Sequence, residues 1–117
     1  MRVFAVLLSL ALLAQVGGAN AQEVQLNCTI GPVERTFGGT PWVVYGCNDG
    51  KSLAIAASAD NPANPFVFVI AWEPHGYRVY GEGSGDRNAS SPAFDELRAM
   101  NREQVSALYS STLQIDQ

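Results

Sequence analysis

The sequence is poor in the side chains that most often build metal sites and acid–base sites. It contains one histidine, His75, and two cysteines, Cys28 and Cys47. A structural zinc site needs about four nitrogen or sulfur ligands, so we expect no metal site. The segment from Gly81 to Gly85 departs from a dinucleotide fingerprint, and no Gly-Lys-Ser/Thr phosphate loop is present. We therefore expect no cofactor.

Basic residues are also few, and they are scattered along the chain. Lys and Arg total 7 against 11 Asp and Glu. Proteins that follow phosphate backbones need clustered Lys and Arg, whereas the basic residues after the amino terminus stand at positions 35, 51, 78, 87, 98 and 102. We expect no nucleic-acid partner and no binding to anionic membrane surfaces.

Only one long apolar run is present, and it lies at the amino terminus from Val3 to Ala14. It follows the positive charge of Arg2 and precedes Ala19-Asn20-Ala21, whose small residues suit a signal peptidase. The run is shorter than the roughly 20 apolar residues that span a bilayer. We interpret residues 1–21 as a cleaved signal peptide and expect a periplasmic or secreted product that does not insert into a membrane.

Cleavage there removes 21 of the 117 residues and leaves residues 22–117. We expect these 96 residues to form one domain, because that length is common for one domain and too short for two. Loss of Arg2 changes the formal net charge from −4 to −5. An exported chain meets an oxidising compartment, so Cys28 and Cys47 are predicted to form a disulfide. Closing that loop stabilises the fold by about 3 kcal/mol.

Alternation of apolar and polar residues predicts about five strands. Phe66 to Trp72 is apolar on both faces, which is typical of a strand in the middle of a sheet. The glycines and prolines of residues 31–41 indicate a loop, and Asn48-Asp49-Gly50 and Pro74-His75-Gly76 supply hairpin turns. In the second hairpin, Arg78 is expected opposite Trp72 or Glu73. The predicted strands are Val24–Ile30, Trp42–Cys47, Lys51–Ser58, Phe66–Trp72 and Tyr77–Gly83.

Two short helices are predicted near the carboxyl terminus. Ser91 and Pro92 suit the N-cap and first position of one helix, and Asn101 to Gln104 has the residues of a capping box that would begin a second. The alternative is one continuous helix. Apolar anchors to the sheet would be Phe94, Leu97, Val105 and Leu108.

The predicted fold class is α+β, an antiparallel sheet of about five strands in two hairpins, followed by one or two C-terminal helices packed on one face. In the third predicted strand, Ala54, Ala56 and Ser58 share a face of small side chains. We expect something to approach closely there, and a packing helix would fit.

The segment from Gly81 to Asn88 is the candidate binding loop, because it is rich in glycine and polar residues and follows a strand. Asp86, Asn88 and Ser90 alternate as calcium ligands do, but the glycine and glutamate that a calcium loop needs are absent. His75 lies in a turn, where a side chain is usually solvated. The candidate binding residues are Glu82, Ser84, Asp86, Arg87 and Asn88.

Three segments carry a resemblance to other proteins. Trp42 to Leu53 reads WVVYGCNDGKSL, Asn61 to Phe66 reads NPANPF, and Tyr80 to Gly85 reads YGEGSG. With them the chain resembles a group of small exported proteobacterial proteins of unknown function, over most of the mature domain from Cys47 to the final helix. The resemblance implies a bacterial periplasmic location and brings no activity with it.

A shorter stretch, Tyr45-x-Cys47-x-x-Gly50-Lys51-x-Leu53, is similar to the opening strand of the periplasmic C-type lysozyme inhibitors, which are small β-rich disulfide proteins. Such inhibitors insert a loop with a serine and a lysine or arginine into the lysozyme cleft. The similarity would give those roles to Ser84 and Arg87. The intervening strands and the terminal helices do not follow that family's pattern.

Three functions are compatible with these features. The first is a non-catalytic envelope protein that binds a protein or a small ligand through one sheet face or through residues 81–88. The second is an inhibitor of a cell-wall hydrolase. The third is an enzyme with an unfamiliar site around Glu82, Asp86, Arg87 and His75. An exposed apolar patch on the sheet face opposite the helices would indicate a partner or a homodimer.

Overall fold

The structure, a computed structural model, describes residues 25–114, and the signal peptide predicted for residues 1–21 lies outside them. The chain forms five strands followed by two helices, which confirms the predicted α+β class. The strands are β1 (Ile30–Phe37), β2 (Thr40–Gly46), β3 (Leu53–Ala57), β4 (Phe66–Glu73) and β5 (Gly76–Gly83). The helices are α1 (Arg87–Arg98) and α2 (Arg102–Gln114).

The five strands form one antiparallel sheet in the order β1-β2-β3-β4-β5. The hairpins predicted at residues 48–50 and 74–76 are confirmed, and β4 is an interior strand as predicted. Both expected partners of Arg78 are wrong, because Arg78 lies opposite Ala71. The turn consists of Pro74 and His75 alone, since Glu73 already pairs with Gly76.

The first strand lies later in the chain than predicted. The predicted strand began at Val24, which is outside the described residues, and residues 25–29 form no strand. β1 instead occupies residues interpreted as a loop, with a break in register between Ile30 and Val33 around Pro32. Proline and glycine are tolerated at bulges and on edge strands. Pairing with β2 therefore overrides the local turn signals.

The core lies between one sheet face and the two helices. Of the predicted helical anchors, Leu97, Val105 and Leu108 are buried. Phe94 is half-buried and stacks on Phe68 with 6.1 Å between the ring centroids. The fully buried apolar side chains of the sheet are Trp42, Val44, Leu53, Ile55, Phe68 and Ile70.

Ala54 and Ala56 lie on the sheet face opposite the helices, so the expectation of a helix packed on them is wrong. On β3 the residues that face the core are Leu53, Ile55 and Ala57. The small side chains have larger neighbours on their own face, since Ala54 pairs with Tyr45 on one side and Val69 on the other. Their size fits these cross-strand neighbours.

α1 begins earlier than predicted. Its N-cap is Asp86, whose side chain accepts a hydrogen bond from the Asn88 amide, and Ser91 and Pro92 lie inside the helix. A carboxylate is a strong N-cap, and the buried Ala89 and Ser90 hold the first turn against the domain. Proline early in a helix loses one backbone bond, a cost that this packing offsets.

The predicted break between the helices is confirmed. The Asn101 amide donates to Gln104 Oε1 and the Gln104 amide donates to Asn101 Oδ1, each over 2.8 Å, which is a reciprocal capping box. α1 has 12 residues and α2 has 13. No helix among residues 25–114 is long and apolar enough to cross a bilayer.

The sheet curls around α1, which contacts both edge strands, β1 and β5. At the β1–β2 turn, Gly38 has a φ of 59° and packs on the backbone of Pro92 and Ala93, which a Cβ atom would overlap. The Gly38 amide also donates to Glu96 Oε1 over 2.8 Å. Glycine is needed here for both its conformation and its lack of a side chain.

The predicted disulfide between Cys28 and Cys47 is confirmed. It joins the segment before β1 to the buried end of β2. The same segment is held at the β2–β3 turn by two hydrogen bonds, from the Asn27 amide to Asn48 Oδ1 over 2.9 Å and from the Asn48 amide to the Asn27 carbonyl over 2.8 Å. These links anchor the start of the described chain to the sheet.

Candidate functional site

The strand β5 presents a free backbone edge. Among residues 25–114 it pairs with β4 alone. In an antiparallel pair closed by a two-residue turn, alternate residues exchange backbone hydrogen bonds, beginning with Glu73 and Gly76. The Trp72 amide accordingly points away from β5, because it donates to Ser52 Oγ on the β3 side over 3.0 Å. The outward-pointing amides and carbonyls therefore belong to Tyr77, Val79, Gly81 and Gly83.

α1 runs back alongside this free edge, and a continuous depression separates the two. It consists of a cleft of about 480 Å³ near the start of α1 and a cleft of about 580 Å³ near its end, and both are lined by Val79 and Phe94. We call this depression the β5–α1 groove. Five residues on one face of α1, at positions i, i+3, i+4, i+7 and i+11, line the groove: Arg87, Ser90, Ser91, Phe94 and Arg98.

The floor of the groove at the first cleft is aromatic. Phe66 and Phe68 lie 4.8 Å apart between ring centroids, and Phe94 stacks on Phe68. A Cβ atom on Gly81 would lie 2.6 Å from Phe68 Cδ1 and 2.7 Å from Phe66 Cε1. The glycine thus allows both rings to pack against the free edge. Phe68 is fully buried, so the apolar surface beside the unpaired backbone groups comes from the half-buried Phe66 and Phe94.

The glycines that follow serve packing. Cβ atoms on Gly83 and Gly85 would overlap the backbone of residues 63–66. The amides of Ser84 and Gly85 donate to the Pro65 carbonyl over 3.0 and 3.2 Å, and the Asp86 amide donates to the Pro62 carbonyl over 3.0 Å. Because these donors are used, the turn between β5 and α1 is a fixed connection and does not cradle an anion.

The structure separates the residues of the candidate binding loop. Glu82 belongs to β5, where it lies opposite Val67, and Asp86 caps α1. Ser84 and Asn88 are exposed, in the connecting turn and in the first turn of α1. Of the five candidates, Glu82 and Arg87 line the groove.

His75 lies at the other end of the sheet from the candidate carboxylates. It occupies the β4–β5 turn, and Glu82 is seven residues along the chain, which corresponds to about 23 Å at the rise of a strand. The proposed enzyme site around His75, Glu82, Asp86 and Arg87 is therefore not assembled in this arrangement.

The groove is electropositive although the chain is acidic. Four arginines line it, Arg78, Arg87, Arg98 and Arg102, against one carboxylate, Glu82. Arg78 forms an ion pair with Glu73 over 3.0 Å. Arg102 lies 4.0 Å from the centre of the Trp72 ring and donates to the carbonyls of the β4–β5 turn. These two guanidinium groups already have partners within the described chain.

Arg87 and Arg98 are exposed and form no ion pair with any of residues 25–114. Arg98 lies over the Phe94 ring, with 5.1 Å between its Cζ atom and the ring centre, an arrangement in which an arginine adds to an apolar surface. The two guanidinium groups stand at opposite ends of α1. They are the charges available to a ligand in the groove.

Sequence reasoning missed Phe66, Phe68, Phe94, Ser91 and Arg98 as groove residues. The spacing of Arg87, Ser91, Phe94 and Arg98 by four, three and four residues is a helical pattern. That pattern is visible only if the helix begins before Ser91. The incorrect N-cap prediction therefore concealed the groove wall.

The groups with shifted pKa values lie outside the first cleft and hold the fold together. Burial raises the pKa of Tyr77, whose single hydroxyl proton is shared among carbonyls at the end of α1, with the Leu97 carbonyl at 2.8 Å. Burial and the negative charge of Asp49 raise the pKa of Tyr109. The pKa of Asp49 is raised by burial, but the hydrogen bonds that its carboxylate accepts from Ser52 and Lys51 outweigh this effect, so the pKa is lowered overall.

Neither a cluster of metal-ligating side chains nor a similar protein of known function indicates what reaction or ligand the groove serves. Within the described part of the chain, no three His, Cys, Asp or Glu side chains are grouped so that they could hold a metal ion. No protein-family model, curated protein or solved structure matches the chain.

Proposed function

We propose that this protein is an exported, non-catalytic domain that binds a partner protein through the β5–α1 groove. The observation that carries the proposal is the combination of an aromatic floor, a free strand edge and two unpaired arginines in one continuous depression. Apolar surface beside arginine is typical of binding hot spots. Free backbone groups add donors and acceptors that a polypeptide can satisfy along the whole groove.

The shape of the groove favours a polypeptide over a small molecule. Sites for small ligands generally enclose most of the ligand surface. The β5–α1 groove instead follows the eight residues of β5 and is lined from His75 at one end to Gly83 at the other. A small ligand would occupy one cleft and leave the rest of the edge unpaired.

Export is supported by the features of the first residues and by the disulfide. Residues 1–21 have the sequence pattern of a signal peptide, and a disulfide persists in oxidising compartments. The resemblance to small exported proteobacterial proteins favours the periplasm. The partner would therefore be an envelope or secreted protein.

The proposal is tested by selecting linear peptides from a displayed random library on the oxidised domain, residues 22–117. Selected peptides should lose at least tenfold in affinity for Ser91→Trp, since Ser91 is exposed in the first cleft and a tryptophan there fills it. Ser106→Trp is the matched control, because Ser106 is an exposed serine of α2 outside the groove. Binders that tolerate Ser91→Trp as well as Ser106→Trp would contradict the proposal.

The alternative function is inhibition of a cell-wall hydrolase, as the similarity of residues 45–53 to lysozyme inhibitors implies. Ser84 and Arg87 are both exposed at the β5–α1 connection, as inhibitory residues would need to be. An excess of the mature protein should then slow a C-type lysozyme on cell-wall substrate, and Arg87→Ala should abolish the effect. Unchanged hydrolysis would exclude this alternative.

A further inference from the structure

We infer that the ligand of the β5–α1 groove is an extended, acidic peptide segment that pairs with β5 as a sixth strand and places an apolar side chain across from Gly81. The inference rests on the proposed function and specifies the chemistry of the partner. Three independent features of the groove define the three parts of this ligand.

The backbone of the ligand is specified by the free edge. The outward-pointing amides and carbonyls of Tyr77, Val79, Gly81 and Gly83 are spaced two residues apart, which is the repeat of a β-ladder. An unpaired edge is a ready template for another strand, and strand addition is an established mode of peptide recognition. An extended segment satisfies these groups without any change in β5.

The central side chain of the ligand is specified by Gly81. In an added strand, the residue opposite Gly81 points to the same face as Gly81, which is the face that packs on the helices. There it meets Phe66, Phe68 and Phe94, in a cleft of about 480 Å³. Phe68 is only 1% exposed, whereas Phe66 and Phe94 are half-buried. Since Gly81 has no side chain, a large apolar residue across from it covers the accessible parts of the Phe66 and Phe94 rings.

The charge of the ligand is specified by Arg87 and Arg98. They are eleven residues apart on α1, which is about 16 Å along a helix. Phe94 stands between them, so carboxylates are expected on both sides of the apolar residue. Residues on one face of a strand recur every two positions, and positions i and i+4 are about 13 Å apart. The reach of the arginine side chains covers the difference, giving the pattern acidic, any, apolar, any, acidic.

The surrounding charges favour the same ligand. Outside the groove the described chain has two basic residues, Arg35 and Lys51, and the formal net charge after signal removal is −5. An acidic segment is therefore attracted at the groove and repelled elsewhere on the surface. Such electrostatic complementarity directs a ligand to one site.

The test uses a synthetic nine-residue peptide with threonine at most positions and Glu, Phe and Glu at its third, fifth and seventh. It should bind the oxidised domain, and a peptide with lysine in place of both glutamates should bind at least tenfold more weakly. The protein variant Arg87→Gln with Arg98→Gln should lose at least tenfold in affinity for the acidic peptide. Arg35→Gln, on the opposite edge strand, is the matched control and should leave binding unchanged.

Strand pairing is tested separately by N-methylation of the peptide. Only alternate peptide amides can face β5, so methylating one alternate set should abolish binding and methylating the other set should leave it unchanged. Hydrogen exchange provides the second measurement. The amides of Val79, Gly81 and Gly83 should exchange at least tenfold more slowly in the complex, whereas Arg78 and Tyr80, already paired with β4, should change little.

The outcomes distinguish this inference from the proposed function. A peptide that is sensitive to Ser91→Trp but tolerates both methylated sets would overturn strand addition and leave the groove as the binding site. Equal binding of the acidic and lysine peptides would overturn the acidic preference. If no selected or synthetic peptide is sensitive to Ser91→Trp, both the inference and the proposed function fail.

Discussion

The Tyr109 hydroxyl donates a hydrogen bond of 2.9 Å to the Cys47 carbonyl. This bond joins α2 to the end of β2 at the residue that also forms the disulfide. Both residues are buried. The contact fixes the second helix against the sheet, and several of the stabilities predicted below depend on this end of the domain.

Removing that hydroxyl by Tyr109→Phe should lower the free energy of unfolding by about 1 kcal/mol. The loss is moderate because the Gly50 amide also donates to the Cys47 carbonyl, over 3.1 Å. Urea denaturation at pH 7 measures the difference. Tyr45→Phe is the control, since no hydrogen bond of its hydroxyl is present among the described residues, and an equal loss there would contradict the assignment.

Tyr109 should also make the free energy of unfolding depend on pH in the alkaline range. Burial and the charge of Asp49 raise the pKa of Tyr109 above 10.0 in the folded state. The neutral form is therefore favoured by folding, so its contribution is present below about pH 10 and is lost as the pH rises through the folded-state pKa. Denaturation between about pH 9 and 12 should show a smaller decline for Tyr109→Phe than for the wild type.

Asp49 should stabilise the β2–β3 turn at neutral pH. Its Oδ1 atom accepts from the Lys51 and Ser52 amides over 2.9 and 2.7 Å, and its Oδ2 atom accepts from the Ser52 hydroxyl over 2.6 Å. Ser52 in turn accepts from the Trp72 amide. Asp49→Ala should cost about 1 kcal/mol at pH 7, a modest value because the carboxylate is exposed.

The effect of Asp49→Ala should shrink in acid. The hydrogen bonds lower the pKa of Asp49 below 3.8, against the upward effect of burial. Because the folded-state pKa is lowered, ionised Asp49 stabilises the fold at pH values above its unfolded-state pKa. That contribution is lost as the pH falls through the folded-state pKa. Wild-type and variant stabilities should therefore converge below about pH 4. Asp60→Ala, in another exposed turn, is the control substitution.

Adjacent glycines provide a matched test of the contact between α1 and the β1–β2 turn. Gly38 and Gly39 both have positive φ, 59° and 82°, but only Gly38 packs on Ala93, and nothing lies within 4 Å of a Cβ atom on Gly39. Gly39→Ala should cost about 1 kcal/mol from backbone strain. Gly38→Ala should cost at least about 2 kcal/mol more, because α1 must shift. Thermal denaturation of both variants measures the difference, and equal costs would contradict the packing.

Reduction of the disulfide should lower the free energy of unfolding by about 3 kcal/mol. The bond closes a loop across a sequence separation of 19 and lies beside the Tyr109 contact. Urea denaturation with and without a thiol reductant measures the change. The double variant Cys28→Ser with Cys47→Ser should match the reduced wild type and be insensitive to the reductant.

The strands that the sequence predicted correctly are those whose own residues carry the signal. In β3 and β4, apolar side chains fill the core-facing positions, and Asn48-Asp49-Gly50 supplies turn chemistry between β2 and β3. β1 was missed because it is an exposed edge strand, with Glu34, Arg35 and Thr36 in its centre. The residues of such a segment do not distinguish a strand from a loop. β1 is a strand because its backbone pairs with β2.

The start of α1 shows the same division. Asp86 and Ser91 are both good N-caps in isolation. Packing chooses between them, because Ala89 and Ser90 are buried only if the helix has already begun at Arg87. The position of Phe94 beside Arg98, and of both beside β5, follows from that choice.

By itself the sequence determined four of the five strands and the capping box between the helices, because each depends on residues close together in the chain, and it determined the cysteine pairing because two cysteines allow one pair. The signal peptide of residues 1–21 stays a prediction. Only the tertiary structure decided where β1 lies, which face of β3 the helices cover, and that α1 returns beside β5 to form a groove. Those features depend on pairing and burial between residues distant in sequence. The helical spacing of the groove residues on α1 is local, but their position beside β5 depends on such long-range relationships.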